Sequence, residues 1–254
     1  MNCLIVTVQT VVIMLLYDDP LLSIFFGDAK TAVDPSKISH YRHKKHLLSD
    51  EPWARLLMPM PHVKKLFFAH QVHGTQGYAV DWPMTVAYFP WECIADYLIT
   101  AELHIGIGIL TADCLPIILY DRDLSVVAVV HAGWRGSVSQ IALIALDHMK
   151  KWYGSKTQSM QVFFGPAAGS CCYHIGPSVL AALGEATPKA TVMRSAKTFF
   201  DLVGYNKWLL VEAGVPPESI IDAYHTCTIC NNSYCSYRRQ KEAAGRQMTV
   251  VCLK

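Results

Sequence analysis

A chain of 254 residues with 52% hydrophobic content is long enough to bury the core of one large domain or two small ones. No Gly/Ser/Pro-rich linker or low-complexity tract divides it, so residues 1–254 are read as one domain. The formal net charge of +2 gives nucleic-acid binding no bulk electrostatic support. Nine cysteines, an odd number spread along the chain, argue against a secreted disulfide framework and for reduced thiols in a cytoplasmic setting.

The first predicted element is the apolar run from Cys3 to Tyr17. It contains Thr7, Gln9 and Thr10, lacks the basic leader and cleavage site of a secretory signal, and falls short of the roughly 20 residues that span a bilayer. It therefore predicts a buried strand pair or core segment, with no membrane association. The basic cluster Tyr41-Arg-His-Lys-Lys-His46 reads as a solvated helix face. A strand from Val63 to Phe68 then leads into His70-Gln-Val-His-Gly74. His70 and His73 are three positions apart, so on a strand they face opposite sides, and only one of them is a good candidate for a given metal.

Three strands follow in close order. His104 to Leu110 places Ile at every second position from Ile105, Ile117 to Tyr120 is apolar, and Val126 to Val130 is almost entirely β-branched. Asp113 and Cys114 fall at the end of the first of these strands and His131 at the end of the third. Neighbouring strands lie about 5 Å apart, so such ends can bring Cys114 and His131 to one ligand. The turn after His131 holds two glycines, and Ser137-Val-Ser-Gln140 has the form of a capping box ahead of a helix reaching about Trp152. A strand, a Gly-rich turn and a helix start with Arg135 beside them suit an anion. Taken alone, Cys114 reads as a small buried hydrophobe and His131 as a hydrogen-bonded core residue; their clustering weighs against both. With one upstream histidine they make two imidazoles and one thiolate, a set that leaves a fourth position open, as catalytic zinc requires.

Met160 to Phe164 predicts another strand, running into the loop Gly165-Pro-Ala-Ala-Gly-Ser-Cys-Cys-Tyr-His-Ile-Gly176. Small residues there let backbone N–H groups approach a ligand; a tight turn with two buried cysteines fits equally well. Ser178 to Leu183 and Asn206 to Glu212 are helical, the second closed by Gly214, and Ser219 to Tyr224 and Gln247 to Leu253 are strand candidates. Such alternation indicates an α/β or α+β fold. Cys227-Thr-Ile-Cys230 has the spacing of half a zinc site, but no second pair follows it, which argues against a zinc knuckle. Arg238, Arg239 and Arg246 offer guanidinium forks to phosphate or carboxylate; a solvated basic turn is the plainer reading.

The ordered series Gln71-Val-His-Gly74, Ala95-Asp-Tyr-Leu-Ile-Thr100, Thr111-Ala-Asp-Cys-Leu-Pro116, His131-Ala-Gly-Trp-Arg-Gly136, Gly165-Pro166 with Cys171-Cys-Tyr173, and Ser236-Tyr-Arg-Arg239 with Gly245-Arg246 resembles the YfiH-like, laccase-domain family from about Gly27 to the C-terminus. The resemblance implies an α/β fold, with α+β sandwich-like mixed sheets and flanking helices, related to the cytotoxic necrotising factor catalytic domain. It implies a zinc ion held by His73, Cys114 and His131, choosing His73 over His70, with copper as the metal of the family's older polyphenol oxidase description. Members are now regarded as purine nucleoside enzymes that phosphorolyse adenosine, inosine and methylthioadenosine and deaminate adenosine; their partners are these nucleosides and phosphate, and their assembly a homodimer. Copper oxidation needs several clustered metals, whereas this chain offers one compact ligand set.

On this reading the catalytic residues are Asp113, Cys114, His131 and Arg135: zinc on Cys114 and His131 supplies hydroxide to C6 of the purine while Asp113 moves protons, and Arg135, Arg238 and Gln71 bind substrate or phosphate. Two competing readings are a Cys-His hydrolase with Cys114 as nucleophile, for example on peptidoglycan precursors, and a redox or binding partner using the cysteines at 171–172 and 227–235. The chain departs from the family in its short N-terminal section, in Tyr41-Arg42 where an Asn-Arg pair is usual, and in His174 where a glutamate follows Cys-Cys-Tyr.

Overall fold

The computed structural model describes residues 15–34, 60–81 and 93–254. The basic cluster at 41–46 and most of the N-terminal apolar run lie outside the described residues. The end of that run forms strand β1 (Leu15–Asp18), which pairs antiparallel with β2 (Leu22–Phe26).

Two mixed sheets carry the fold. The first has the order β1-β2-β13-β6-β3, with β3 at Lys65–Phe68, β6 at Ile105–Thr111 and β13 at Gln247–Leu253. The second has the order β12-β9-β7-β8-β5-β4, from β4 (Gly77–Ala79), β5 (Tyr97–Thr100), β7 (Leu115–Asp121), β8 (Val126–Ala132), β9 (Met160–Phe164) and the two-residue β12 (Ile220–Ile221). The strands expected from the apolar runs form with small shifts at their ends; only the one expected at Ser219 to Tyr224 shrinks to two residues.

The packing explains why the middle strands read as unbroken apolar runs. Ile107, Ile109 and Val251 of the first sheet meet Ile118, Val127, Val129 and Phe163 of the second in a shared core. The alternate residues Ile117, Leu119, Ala128, Val130 and Phe164 face a layer of helices instead. A strand covered on both faces has no polar side to alternate with. Among the described residues the α-helices are α1 (Trp134–Val138), α2 (Ile141–Tyr153), α3 (Pro177–Leu183), α4 (Thr187–Ala190), α5 (Leu202–Glu212) and α6 (Tyr237–Gln240). The outer face of the first sheet is covered by Met60 and Val63 with Phe25, Leu66, Phe68 and Val250. No helix among the described residues is long and apolar enough to cross a membrane.

Two local expectations are corrected. Ser137 is not a cap: it lies inside α1, and its hydroxyl accepts a hydrogen bond from Asn206 Nδ2 of α5 at 2.9 Å. The chain then turns at Gln140, in the left-handed region at φ 59°, and α2 begins with no side-chain cap. The hairpin of β10 (Thr191–Arg194) and β11 (Lys197–Phe200) had no turn signal, because Ser195 and Ala196 take positive φ where Gly or Asn is usual. Helix α5 starts four residues earlier than expected, where Asp201 caps it by accepting from Gly204 N.

Candidate active site

The reactive residues converge where both sheets end. β6 closes in one sheet and β7 opens in the other, so Ala112-Asp-Cys114 is the step between the two layers. Asp113 makes that step at φ 88°, a conformation uncommon outside glycine. It is held there by three contacts: its carbonyl accepts from Ala168 N at 2.9 Å, Oδ1 from Thr228 Oγ1 at 2.7 Å, and Oδ2 from Arg238 N at 2.7 Å. His131 stands near the end of β8, opposite Pro116 of β7. Antiparallel pairing of β7 with β8 therefore delivers Cys114 beside His131.

The third member is His73. β3 ends at Phe68, and His73 sits beyond it in a loop at φ 60°, so strand parity does not govern it. One ligand atom from each of His73, Cys114 and His131 lies within 4.8 Å of the others, and the two rings meet edge to face at 4.8 Å. His70 lines the same cavity without joining this group.

Asp96 organises the cluster, and sequence reasoning assigned it no role. Its side chain is fully buried. Oδ1 accepts from His73 N at 2.9 Å and pairs with His131 Nδ1 at 2.8 Å; Oδ2 accepts from Gly74 N at 2.7 Å and Val72 N at 3.3 Å. Burial alone would raise this carboxyl, but the His131 contact and the loop N–H groups hold it below the usual range. With Nδ1 engaged by Asp96, Nε2 is the nitrogen of His131 left to meet a metal, the arrangement typical of metal-bound imidazole. Burial likewise opposes charge on Cys114 and on His131. Their mutual attraction prevails: the Cys114 thiol is lowered by His131 and His73, and His131 is raised by Cys114 and Asp96. The thiolate is the metal-binding form of cysteine. One thiolate, two imidazoles and a carboxylate behind one of them are a donor set that suits zinc.

Gly133 shows how closely the parts fit. A Cβ there would lie 2.9 Å from Cys114 Sγ and 3.2 Å from the His73 ring, so Gly133→Ala must displace the cluster. We expect it to lower stability by about 1–3 kcal/mol, as overpacking does, and to reduce bound metal; thermal denaturation and metal analysis on the same preparation check both.

The cluster lines a cavity of about 630 Å³, within the range of small-molecule sites. Its walls include Trp134, Tyr173, Tyr237, Arg135, Arg238 and Arg246. The Arg135 guanidinium lies 4.5 Å from the Trp134 ring, and that of Arg238 lies 4.8 Å from Tyr173 while donating to His174 O. Gln71 also lines the cavity, but its amide is used on the backbone: Nε2 donates to Leu110 O and Oε1 accepts from Leu110 N. Arg239 is outside the cavity; its guanidinium donates to the carbonyls of Thr228, Ile229 and Tyr234. The fork expected to meet phosphate is a clamp on its own loop.

Residues 51–254 match the family described as multi-copper polyphenol oxidoreductase laccase. Among curated relatives, adenosine deaminase RL5 from an unknown prokaryotic organism is 36% identical over 165 residues, covering 63% of this chain and 62% of that protein. A purine nucleoside phosphorylase of Xylella fastidiosa is 34% identical over 187 residues, covering 71% and 69%. The solved structure of Bacillus licheniformis hypothetical protein YfiH superposes with a TM-score of 0.76 at 26% identity, covering 95% of this chain and 96% of that one. YlmD of Geobacillus stearothermophilus shares the fold, with a TM-score of 0.80 at 22% identity over 98% and 99%. With its model matched over four fifths of the sequence, this chain belongs to the multi-copper polyphenol oxidoreductase laccase family, the YfiH-like laccase-domain proteins.

Proposed function

We propose that this protein is a cytoplasmic, zinc-dependent purine nucleoside phosphorylase that acts on adenosine, inosine and methylthioadenosine and also deaminates adenosine. The observation that carries this reading is the meeting, in one cavity, of the His73, Cys114 and His131 cluster with aromatic walls and guanidinium groups. A purine presents a flat π-face to Trp134, Tyr173 or Tyr237, and phosphate is matched by the forks of Arg135 and Arg238. The names of the relatives from Xylella fastidiosa and of RL5 support the same two activities.

In phosphorolysis a phosphate oxygen bonds to C1′ of the ribose as the C–N bond to the base breaks, and the phosphate proton is carried to the leaving base. Arg135 and Arg238 hold the phosphate on the side of α1 and α6. Asp113 acts here as a positioning residue, since both its oxygens already hold Thr228 and the first turn of α6. Gln71 keeps the end of β6 against the His73 loop. His73, Cys114 and His131 would hold zinc, and the chemistry zinc supplies when bound is Lewis-acid polarisation at the reacting centre. Copper would find the same three donors, but the older oxidase reading needs more than one such cluster.

The test is incubation of the purified protein with adenosine, with and without phosphate, alongside metal analysis. Adenine formed only with phosphate supports phosphorolysis, and inosine supports deamination; absence of both products and of zinc overturns the reading. Arg135→Gln is expected to raise the KM for phosphate by about tenfold or more, since a charge-assisted hydrogen bond contributes about 1.5–3 kcal/mol. The contact of Cys114 with His131 and of His131 with Asp96 also has the form of an activated thiol nucleophile. That hydrolase reading would require alkylation of Cys114 to proceed in the metal-loaded protein, whereas a zinc-held thiolate is protected.

A further inference from the structure

The fold completes a second cluster that the spacing of its cysteines concealed. Cys227-Thr-Ile-Cys230 finds its missing pair upstream: the Sγ atoms of Cys171, Cys172, Cys227 and Cys230 all lie within 4.8 Å of one another, and none is in a disulfide. Backbone pairing sets this up. Ala167 N donates to Thr226 O at 3.1 Å and Thr228 N to Ala167 O at 2.9 Å, so the loop after β9 runs beside the 227–230 turn. Gly169 N donates to Cys227 Sγ at 3.3 Å. A Cβ on Gly169 would sit 3.0 Å from Cys227 Cβ and 3.3 Å from Cys171 Sγ, so a larger residue there would crowd the sulfurs. Arg239, through the carbonyls of Thr228 and Ile229, holds the turn in shape.

We propose that Cys171, Cys172, Cys227 and Cys230 form an all-thiolate site for a structural zinc ion, separate from the His73, Cys114 and His131 centre. Zinc–sulfur bonds of about 2.3 Å in a tetrahedron separate the sulfurs by about 3.8 Å. Cys171 and Cys230 are 3.8 Å apart, whereas a disulfide needs about 2.05 Å. Four thiolates in closed coordination are the donor set of structural rather than catalytic zinc. The ion would tie together the two loops that shape the cavity. One carries Tyr173 and the carbonyl of His174 that receives Arg238; the other carries Thr228, which fixes Asp113. Because the two loops converge only in the folded chain, zinc binding there stabilises the fold directly.

The experiment is metal analysis of the full chain, purified without chelator under reducing conditions, as wild type, Cys114→Ser and Cys230→Ser. Cys114→Ser is expected to retain about one zinc per chain, held by the remaining cluster. Cys230→Ser is expected to lose about one equivalent relative to wild type. The Cys114→Ser protein, reconstituted with Co(II) alone, should show intense sulfur-to-cobalt charge transfer with tetrahedral visible bands. Should Cys230→Ser fail to fold, thiol titration of wild type decides: the four thiols react slowly until a chelator removes zinc, then all at once. A metal-free Cys114→Ser protein overturns the proposal, as do iron in place of zinc, disulfides among these cysteines, or immediate reaction of all four thiols. Failure of the nucleoside reading would leave the zinc of Cys114→Ser untouched, so the two proposals fail independently.

Discussion

Replacing Cys114 with serine is expected to strip metal from the His73, Cys114 and His131 centre and to lower nucleoside turnover more than about 100-fold. Loss even of a group behind a ligand lowers affinity or activity about 10–100-fold, and Cys114 is itself the only anionic donor of the three. A serine hydroxyl stays neutral at pH 7, so the attraction that raises His131 and lowers the thiol disappears with the sulfur. Because Cys114 lies in the connection between β6 and β7 rather than inside either strand, far-ultraviolet circular dichroism should be unchanged. Metal content and adenosine consumption are the measurements; full turnover in the serine variant would remove the cluster from the chemistry.

Asp96→Asn is expected to damage both the centre and the fold. The carboxylate accepts from three loop N–H groups and pairs with His131; an amide keeps one acceptor oxygen and turns an NH₂ toward donors. With its side chain fully buried, the mismatch cannot be relieved by water, and removing one partner of a buried pair destabilises by about 3–5 kcal/mol. Metal affinity should fall about 10–100-fold as His131 loses its orienting partner. Urea denaturation of the metal-free protein measures the first effect and chelator competition the second. A variant with normal metal affinity would show that Asp96 only folds the 72–74 loop.

Much of the strand framework was legible in the chain. Val126 to Val130 reads as a strand and Gln247 to Leu253 as a strand candidate, and both form, as β8 and β13, buried along their whole lengths. What such runs do not carry is a face, because both faces are buried and period two vanishes. Ser137 failed as a cap since Asn206, far along the chain, claims its hydroxyl. Arg239 looked like an anion fork because nothing in Ser236-Tyr-Arg-Arg239 reveals that nearby backbone carbonyls will consume it.

By itself the sequence determined the local chemistry: a thiol next to an acid at one strand end, a histidine followed by a glycine turn at another, and a family resemblance specific enough to choose His73. Only the tertiary structure decided which distant groups complete them. The register of β7 against β8 brings Cys114 to His131, the buried Asp96 locks His131 and the His73 loop together, and the Ala167–Cys227 bridge joins two cysteine pairs that spacing had kept apart. Periodicity and spacing describe neighbours along the chain, whereas ligand sets and buried carboxylates are made by contacts between segments, which pairing between strands and loops alone specifies.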